Sequence, residues 1–249
     1  MTRLFTRLAI SICLLWAGAA AAMAQNATPK YKMNFPPSAD LRYTITAQQK
    51  GIPLEGEANV RWTASANNFS VSSETRASLF GKVLETKSEG AIDDHGLAPA
   101  VFTEKRLRRD ATTTTFDRNA KTIRFSTSDA TYPIKGGEQD RSSVLWQLIA
   151  AARATPAKFK AGSEWHFVVA GERDTDPWTF KVVKQEKIQT PNGALNAVHV
   201  LRSPSSGGGQ KLDIWLAPSM EWYPVKLRFS EQDADFIEQT LSKVDKKSS

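Results

Sequence analysis

Apolar and polar residues alternate along almost the whole of this chain, and this period of two constrains the fold more than any other feature. Near its start, Leu41, Tyr43 and Ile45 alternate with Arg42 and Thr44. Successive side chains of an extended strand point to opposite faces, so such a segment has one buried face and one exposed face. Antiparallel sheets commonly bury one face in this way. The alternation therefore predicts a mainly β protein built on a large antiparallel sheet.

Turn residues divide the pattern into about a dozen strands, and we interpret residues 39–242 as a single β-rich domain. Pro191-Asn192-Gly193 is a strong hairpin signal because glycine readily adopts positive φ. The four threonines at 112–115 allow either a strand or a low-complexity loop, and the strands predicted on both sides favour a strand. Residues 25–38, which contain three prolines, predict a flexible tether, and residues 243–249 predict a disordered tail.

One segment departs from the period of two and predicts a helix at about residues 140–154. Asp140 is a candidate cap. Apolar residues follow it at helical spacing, namely Val144, Leu145, Leu148, Ile149 and Ala152. Trp146 lies nearly opposite Leu148 around the helix axis, so most sides of the helix are apolar, and such a helix is usually enclosed. We therefore expect it to pack on the concave side of a sheet curved into a half-barrel or an open barrel.

The first 24 residues have the features of a cleavable secretory signal peptide. Arg3 and Arg7 precede an apolar run that ends in Ala22-Met23-Ala24. We predict cleavage after Ala24 and a periplasmic mature protein, with no stable membrane anchor and no nucleic-acid partner. One alternative is a retained anchor, but the run is shorter than the roughly 20 apolar residues that span a bilayer. The other is a lipid anchor at Cys13, but this cysteine lies inside the run rather than after it.

The composition excludes several kinds of cross-link and functional site. Cys13 is the only cysteine, so the mature protein has no disulfide, thiolate nucleophile or cysteine-ligated metal. The formal net charge of +7 is spread widely, with one basic cluster at Lys105, Arg106, Arg108 and Arg109. Alternation places charges on both faces of this cluster, which predicts an edge strand or a strand end. The functional alternative is that the cluster docks to a phosphate-bearing molecule of the envelope.

Residues that commonly carry catalysis do not form a recognisable motif here. The three histidines lie far apart and form no H-x-x-x-H pair, so we expect satisfied surface or strand histidines and no metal site; they are His95, His166 and His199. Asp93-Asp94 and Asp174-x-Asp176 lie beside turn residues, where aspartate commonly makes local hydrogen bonds. The chain has no G-x-S-x-G elbow, and its triple glycine at 207–209 lacks the lysine of a phosphate-binding loop. We predict no catalytic residues, no cofactor and a protein that is not an enzyme.

Six tryptophans follow the predicted signal peptide. Aromatic rings in curved sheets usually build the core. Trp178 and Trp222, however, lie beside prolines at predicted strand ends, where rings line the mouth of a groove for apolar chains or sugars. The candidate ligand-binding residues are four tryptophans as groove walls and three arginines as anionic contacts, namely Trp146, Trp178, Trp215, Trp222, Arg106, Arg108 and Arg109.

Three stretches carry a family resemblance through their order and spacing. They are GAIDDHGLAPAVF at 90–102, QDRSS at 139–143, and TPNG at 190–193 followed by IWLAP at 214–218 and PV at 224–225. With these the chain resembles, over about residues 38–241, the exported bacterial family catalogued as domain of unknown function 3108. The family has no established activity, so the resemblance implies no catalytic residues. Its architecture is similar to the half-barrel carriers that move lipoproteins across the periplasm, which implies a curved antiparallel sheet closed by helical elements but does not establish a function.

The function that we expect is that of a non-catalytic periplasmic binding protein. Its ligand would be an apolar or amphipathic molecule of the cell envelope, a lipid or a glycolipid, held in a groove of the sheet. The alternative is a partner-binding or scaffold subunit of an envelope assembly that uses sheet edges and has no small-molecule ligand. A wide exposed apolar patch or an unprotected edge strand favours the alternative. A concave face filled completely by side chains contradicts the groove.

Overall fold

The fold is described from a computed structural model. The structure describes residues 29–191, 193–204, 209–232 and 235–247. The predicted signal peptide lies outside the described residues, as do Asn192 of the predicted hairpin turn and most of the triple-glycine segment.

Fifteen strands, one α-helix and two short 3₁₀ turns make up the regular structure of the described residues. The first eight strands are β1 (Ala39–Gln49), β2 (Ile52–Ala64), β3 (Asn68–Ala77), β4 (Gly81–Asp93), β5 (Gly96–Arg106), β6 (Thr112–Asp117), β7 (Thr122–Phe125) and β8 (Ser128–Pro133). They are followed by β9 (Gln139–Asp140), α1 (Ser143–Ala154) and a 3₁₀ turn (Pro156–Lys158). The remaining elements are β10 (Glu164–Ala170), β11 (Thr175–Thr190), β12 (Gly193–Arg202), β13 (Lys211–Leu216), a 3₁₀ turn (Pro218–Met220), β14 (Pro224–Gln232) and β15 (Asp235–Lys246).

All fifteen strands belong to one sheet in the order β8-β7-β6-β5-β4-β3-β2-β1-β15-β14-β13-β12-β11-β10-β9. Neighbouring strands are antiparallel except β9, which is parallel to β10. The first and last strands pair in the middle of the sheet, with Ala39 opposite Lys246. The chain is therefore two antiparallel meanders joined along β1 and β15, as expected when short turns connect successive strands.

The sheet is strongly curved, because its far edge returns to strands in the opposite half. Gln139 Nε2 in β9 donates to the carbonyl oxygen of Leu97 in β5 at 2.7 Å. Ser88 Oγ in β4 donates to Asp140 Oδ2 at 2.5 Å. These side-chain bonds bring the two halves together without a backbone ladder between them. The predicted fold class is confirmed as a large curved antiparallel sheet that forms an open barrel.

The helix α1 packs on the concave side of this sheet, as predicted. Asp140 Oδ1 accepts hydrogen bonds from the backbone amides of Ser142 and Ser143 at 2.8 and 2.9 Å, which satisfies two amides at the start of the helix. Trp146 is buried and stacks on Trp62 of β2, with ring centroids 4.3 Å apart and planes at 5°. Most other residues of α1 are also buried.

The segment before β1 differs from the tether expected from its sequence. Its residues 29–38 have no regular secondary structure, yet they lie against the core. The Asn34 amide donates to the carbonyl of Ala150 at 3.0 Å, and Trp62 Nε1 donates to the carbonyl of Pro36 at 3.1 Å. Phe35 packs on Trp62 as well. Burial of aromatic side chains offsets the conformational entropy that is lost when the segment is ordered. The prolines and polar residues of the segment gave no sign of this burial in the sequence.

The chain also remains regular beyond the expected end of the domain. The strand β15 continues through Lys246 because it pairs with the first residues of β1, so part of the expected tail is strand. In the described residues, no helix is long and apolar enough to cross a membrane.

Candidate functional site on the concave face

The concave face is closed beside the helix and opens along one row of cross-strand neighbours. Residues paired across antiparallel strands share a face, so the register defines such rows. One row, which we call the closed row, runs from β1 to β11 and contains the half-buried Gln239 of β15 together with five buried aliphatic side chains, namely Ile45, Leu227, Ile214, Val200 and Val182. The five aliphatic side chains are almost fully covered and offer little surface to a ligand.

The next row lies two residues further along each strand, and we call it the open row. Its members are all partly exposed, and they are Leu54, Ala47, Ile237, Phe229, Leu212 and Arg202. They come from six adjacent strands, so the row spans roughly 24 Å at about 4.8 Å per strand. Five apolar residues followed by one arginine form a strip that suits a chain-like apolar group with an anionic end.

Arg202 is the polar end of the open row. Its guanidinium carbon lies 4.2 Å from the ring centroid of Trp178, a cation–π contact. Its Nη1 donates to the carbonyl of Gln210 at 2.7 Å, while its buried Nε has no hydrogen-bond partner among the described residues. Burial lowers the pKa of Arg202, and Arg141 acts in the same direction while Asp176 opposes it. A partly desolvated guanidinium without an ion-pair partner among the described residues favours an anionic ligand.

The four predicted tryptophan walls lie in three different settings. Trp146 is buried against Trp62, and Trp222 is buried with its ring packed edge-on against Phe159. Both rings are therefore part of the core. Trp178 is half-buried and stands at the end of the open row. Trp215 lies on the opposite face of the sheet, because its neighbours in β13, Ile214 and Leu216, point into the core.

The predicted arginine contacts lie outside the open row. Arg106 is the last residue of β5, and its Nε donates to Glu104 Oε1 at 2.5 Å. Arg108 and Arg109 lie in the exposed turn that follows, and Arg108 has positive φ. The structure thus places the basic cluster at a strand end, one of the two positions that its alternation allowed.

A second cluster of titratable side chains surrounds His199 on the face opposite the core. His199 Nε2 lies 2.7 Å from Asp213 Oδ1, and His199 Nδ1 lies 3.6 Å from Glu186 Oε1. Trp215 stacks on the imidazole at 4.6 Å, and its Nε1 donates to Glu186 Oε1 at 2.9 Å. Sequence reasoning missed this cluster because its members come from β11, β12 and β13 and meet only through the register.

The charges around His199 keep its carboxylates ionised. Hydrogen bonding to Trp215 and to Lys184 holds the pKa of Glu186 below its usual value. Burial alone would raise the pKa of Asp213, but the His199 hydrogen bond and Lys211 lower it overall. A carboxylate with a lowered pKa is a poor general acid near neutral pH. We therefore interpret this cluster as an ion-pair network that joins three strands. Among the described residues, no group of three or more His, Cys, Asp or Glu side chains is arranged to hold a metal ion.

A shallow depression of about 780 Å³, separate from the open row, crosses β15 and β1 to β5. The side chains that line it carry both signs of charge, and pairs such as Asp40 with Arg61 neutralise each other locally. This balance offers no preference for a ligand of either sign.

The signal for Arg202 was present in the sequence. Val198, Val200 and Arg202 alternate on one face of β12, and the two valines are buried. An arginine that continues an apolar face is unusual and indicates a position where that face reaches solvent or a ligand. The exposure of the other members of the open row depends on how much of the concave face α1 covers, and the alternation of apolar and polar residues does not specify this.

Comparison with known proteins gives a family and a fold. The family model "Protein of unknown function (DUF3108)" matches residues 42–241. No curated protein matches. The crystal structure of a beta-barrel-like protein of domain of unknown function DUF1849 from Brucella abortus has a TM-score of 0.58 at 13% identity, covering 87% of this chain and all of that one. A putative outer membrane lipoprotein-sorting protein domain from Vibrio parahaemolyticus covers 85% of this chain and 86% of its own at 10% identity, but its TM-score is 0.32.

Proposed function

The chain belongs to DUF3108, a family of unknown function, and we propose from its geometry that it is a non-catalytic binding protein for an amphipathic anionic molecule of the envelope. The ligand class is a lipid or glycolipid that lies along the open row. The observation that carries this proposal is the partly exposed apolar strip that ends at Arg202. The finding that Trp146 and Trp222 are buried leaves them outside the proposed site.

The energetics of the open row suit an alkyl chain. Each methylene that leaves water contributes about 0.8 kcal/mol, so a chain laid along several of these strands gains enough to bind without strong polar contacts. Arg202 then provides direction, because its partly exposed guanidinium would donate to a phosphate or carboxylate oxygen at one end. The ring of Trp178 holds the Arg202 guanidinium in place through their cation–π contact.

The predicted export signal supports a ligand from the envelope. Arg3, Arg7 and the apolar run that follows them support export to the periplasm, where envelope lipids and glycolipids are the abundant amphipathic molecules. We propose a periplasmic location on this basis, with cleavage after Ala24.

The sheet edges favour the groove over the alternative of a scaffold that recruits partners by strand addition. The edge strand β8 has six residues and ends at Pro133, and the other edge strand β9 has two residues. Short edges that end in proline are a common protection against pairing with another chain. Neither edge therefore offers a long template for a partner strand.

Equilibrium binding of a fluorescent long-chain fatty acid to the mature protein tests the proposal. Phe229→Glu places a charge in the centre of the open row, and Arg202→Met removes its cationic end. We expect Phe229→Glu to abolish binding and Arg202→Met to weaken it by about tenfold, the loss of one charge-assisted hydrogen bond. Lys181→Met is the matched control. This exposed lysine follows Phe180 in β11, so its side chain lies on the face of the sheet opposite to the open row. Saturable binding that Phe229→Glu leaves unchanged would contradict the groove.

A further inference from the structure

Three hairpin turns lie side by side at one end of the sheet. They connect β1 to β2, β3 to β4 and β5 to β6, and we call them together the rim. The Ser78 amide donates to the carbonyl of Glu55 at 2.9 Å, and the Leu107 amide donates to the carbonyl of Val83 at 2.9 Å. The second and third turns therefore each lie against a strand of the preceding hairpin. Leu54, the first member of the open row, is three residues from Gly51 of the first turn, so the rim borders this end of the open row.

The rim holds most of the exposed large apolar side chains of the described residues. Ile52, Leu79, Phe80 and Leu107 are 60%, 79%, 56% and 43% exposed, and the remaining such residue is Val183 in β11. Large apolar side chains scattered singly over a surface need no explanation, but four at neighbouring turns form a patch. Hairpin turns are ordinarily polar, so apolar side chains at these tips indicate contact with an apolar environment.

Basic side chains flank these apolar tips. Lys50 lies in the first turn, and Lys105, Arg108 and Arg109 lie in or beside the third. None of these four has an ion-pair partner among the described residues, whereas Lys82 and Arg106 nearby are paired with glutamates. Asp110 lies in the third turn, the exposed Glu55 lies near the first, and Asp235 Oδ1 accepts from the Lys50 amide at 2.8 Å, so four unpaired basic side chains face these three acidic ones.

We propose that the rim docks onto an anionic phospholipid bilayer, with its apolar tips inserted and its basic side chains at the headgroups. Apolar tips ringed by unpaired cations match the layered chemistry of such a membrane, where the apolar region lies beneath a negatively charged surface. Docking in this orientation places the open end of the groove at the lipid surface. The docking itself stands independently of whether the groove holds a ligand.

Flotation of the mature protein with two kinds of vesicle tests the docking. One vesicle is phosphatidylcholine alone, and the other is an equimolar mixture with phosphatidylglycerol. We expect binding to the mixed vesicles that falls as salt rises, because surface charges are screened. Arg108→Gln with Arg109→Gln should lower the partition coefficient on mixed vesicles by roughly 30-fold, since each basic side chain near such a surface contributes roughly fivefold.

The apolar contribution has its own pair of variants. Leu79→Ser with Phe80→Ser should lower the partition coefficient on mixed vesicles by about tenfold or more, from the loss of inserted apolar area. The matched control is Val183→Ser, which removes an exposed apolar side chain away from the rim and should leave partitioning unchanged. All of these side chains are exposed, so their replacement should not disturb the fold, and the far-UV circular dichroism spectrum should not change.

Two results would overturn the docking proposal. One is wild-type protein that does not float with mixed vesicles at low salt, and the other is a loss in Val183→Ser as large as that in the rim variant. The Arg202→Met variant separates this proposal from the groove, because it should lose fatty-acid affinity and keep vesicle binding.

Discussion

Gln147 provides the most demanding test of how the helix is held on the sheet. It is the one polar side chain buried in the middle of α1. Its Oε1 accepts from the buried amide of Leu97 at 2.8 Å, and its Nε2 donates to the carbonyl of His95 at 2.6 Å. The side chain therefore satisfies two backbone groups at the turn between β4 and β5. A leucine in its place has a similar volume but makes neither bond.

The expected loss for Gln147→Leu follows from these two bonds. Each backbone group left buried without a partner costs about 1 to 3 kcal/mol, and the apolar side chain recovers part of this. We expect a net loss of about 2 to 4 kcal/mol in the free energy of unfolding, measured by urea denaturation with circular dichroism and tryptophan fluorescence.

A matched control separates this loss from a general effect of leucine. Gln185→Leu changes an exposed glutamine in β11 and should shift the free energy of unfolding by less than about 0.5 kcal/mol. If Gln147→Leu is within about 0.5 kcal/mol of the wild type at an unchanged denaturant slope, the argument from buried partners is wrong.

Three further predictions concern the same core and the network around His199. Gly96 has φ +102°, and an added Cβ would lie 2.5 Å from Gln147 Oε1, so Gly96→Ala should destabilise by about 2 kcal/mol or more, and Gln147→Ala should relieve part of that loss in a double-mutant cycle. Trp146→Ala should lower the free energy of unfolding by about 3 to 5 kcal/mol in the same denaturation assay, the cost of removing a large buried ring. Asp213 has a lowered pKa in the folded state. Its contribution to the free energy of unfolding is therefore fully present above its unfolded-state pKa of about 3.9 and is lost as the pH falls through its folded-state pKa. The stability difference between wild type and Asp213→Asn should therefore be largest near neutral pH and shrink on acidification, and a difference that grows on acidification would refute this assignment.

The sheet and its helix could be predicted from sequence because both rest on local patterns. In an antiparallel meander each strand pairs with its neighbour in the chain, so alternation and turn residues suffice to place β1, β2 and most later strands. The helix α1 interrupts the alternation with apolar residues on most sides, which indicates enclosure. The pairing of β1 with β15 depends on curvature of the whole sheet, and no local pattern encodes it.

The candidate site was only partly predictable, because exposure depends on tertiary packing. Trp146 and Trp178 look alike in the sequence, yet the first stacks on Trp62 and the second supports Arg202. The difference arises from which end of the concave face α1 fills. The charges around Arg202 could not be placed either, since they meet through the register of strands that lie far apart in the chain.

Native mass spectrometry of the mature protein, purified from the periplasm without detergent, tests the central claim most directly. The groove account predicts a bound species whose mass and extraction into organic solvent identify an anionic lipid or glycolipid, and it predicts that Phe229→Glu is purified without that species. An unshifted wild-type mass that stays unshifted after incubation with envelope lipids would contradict the account.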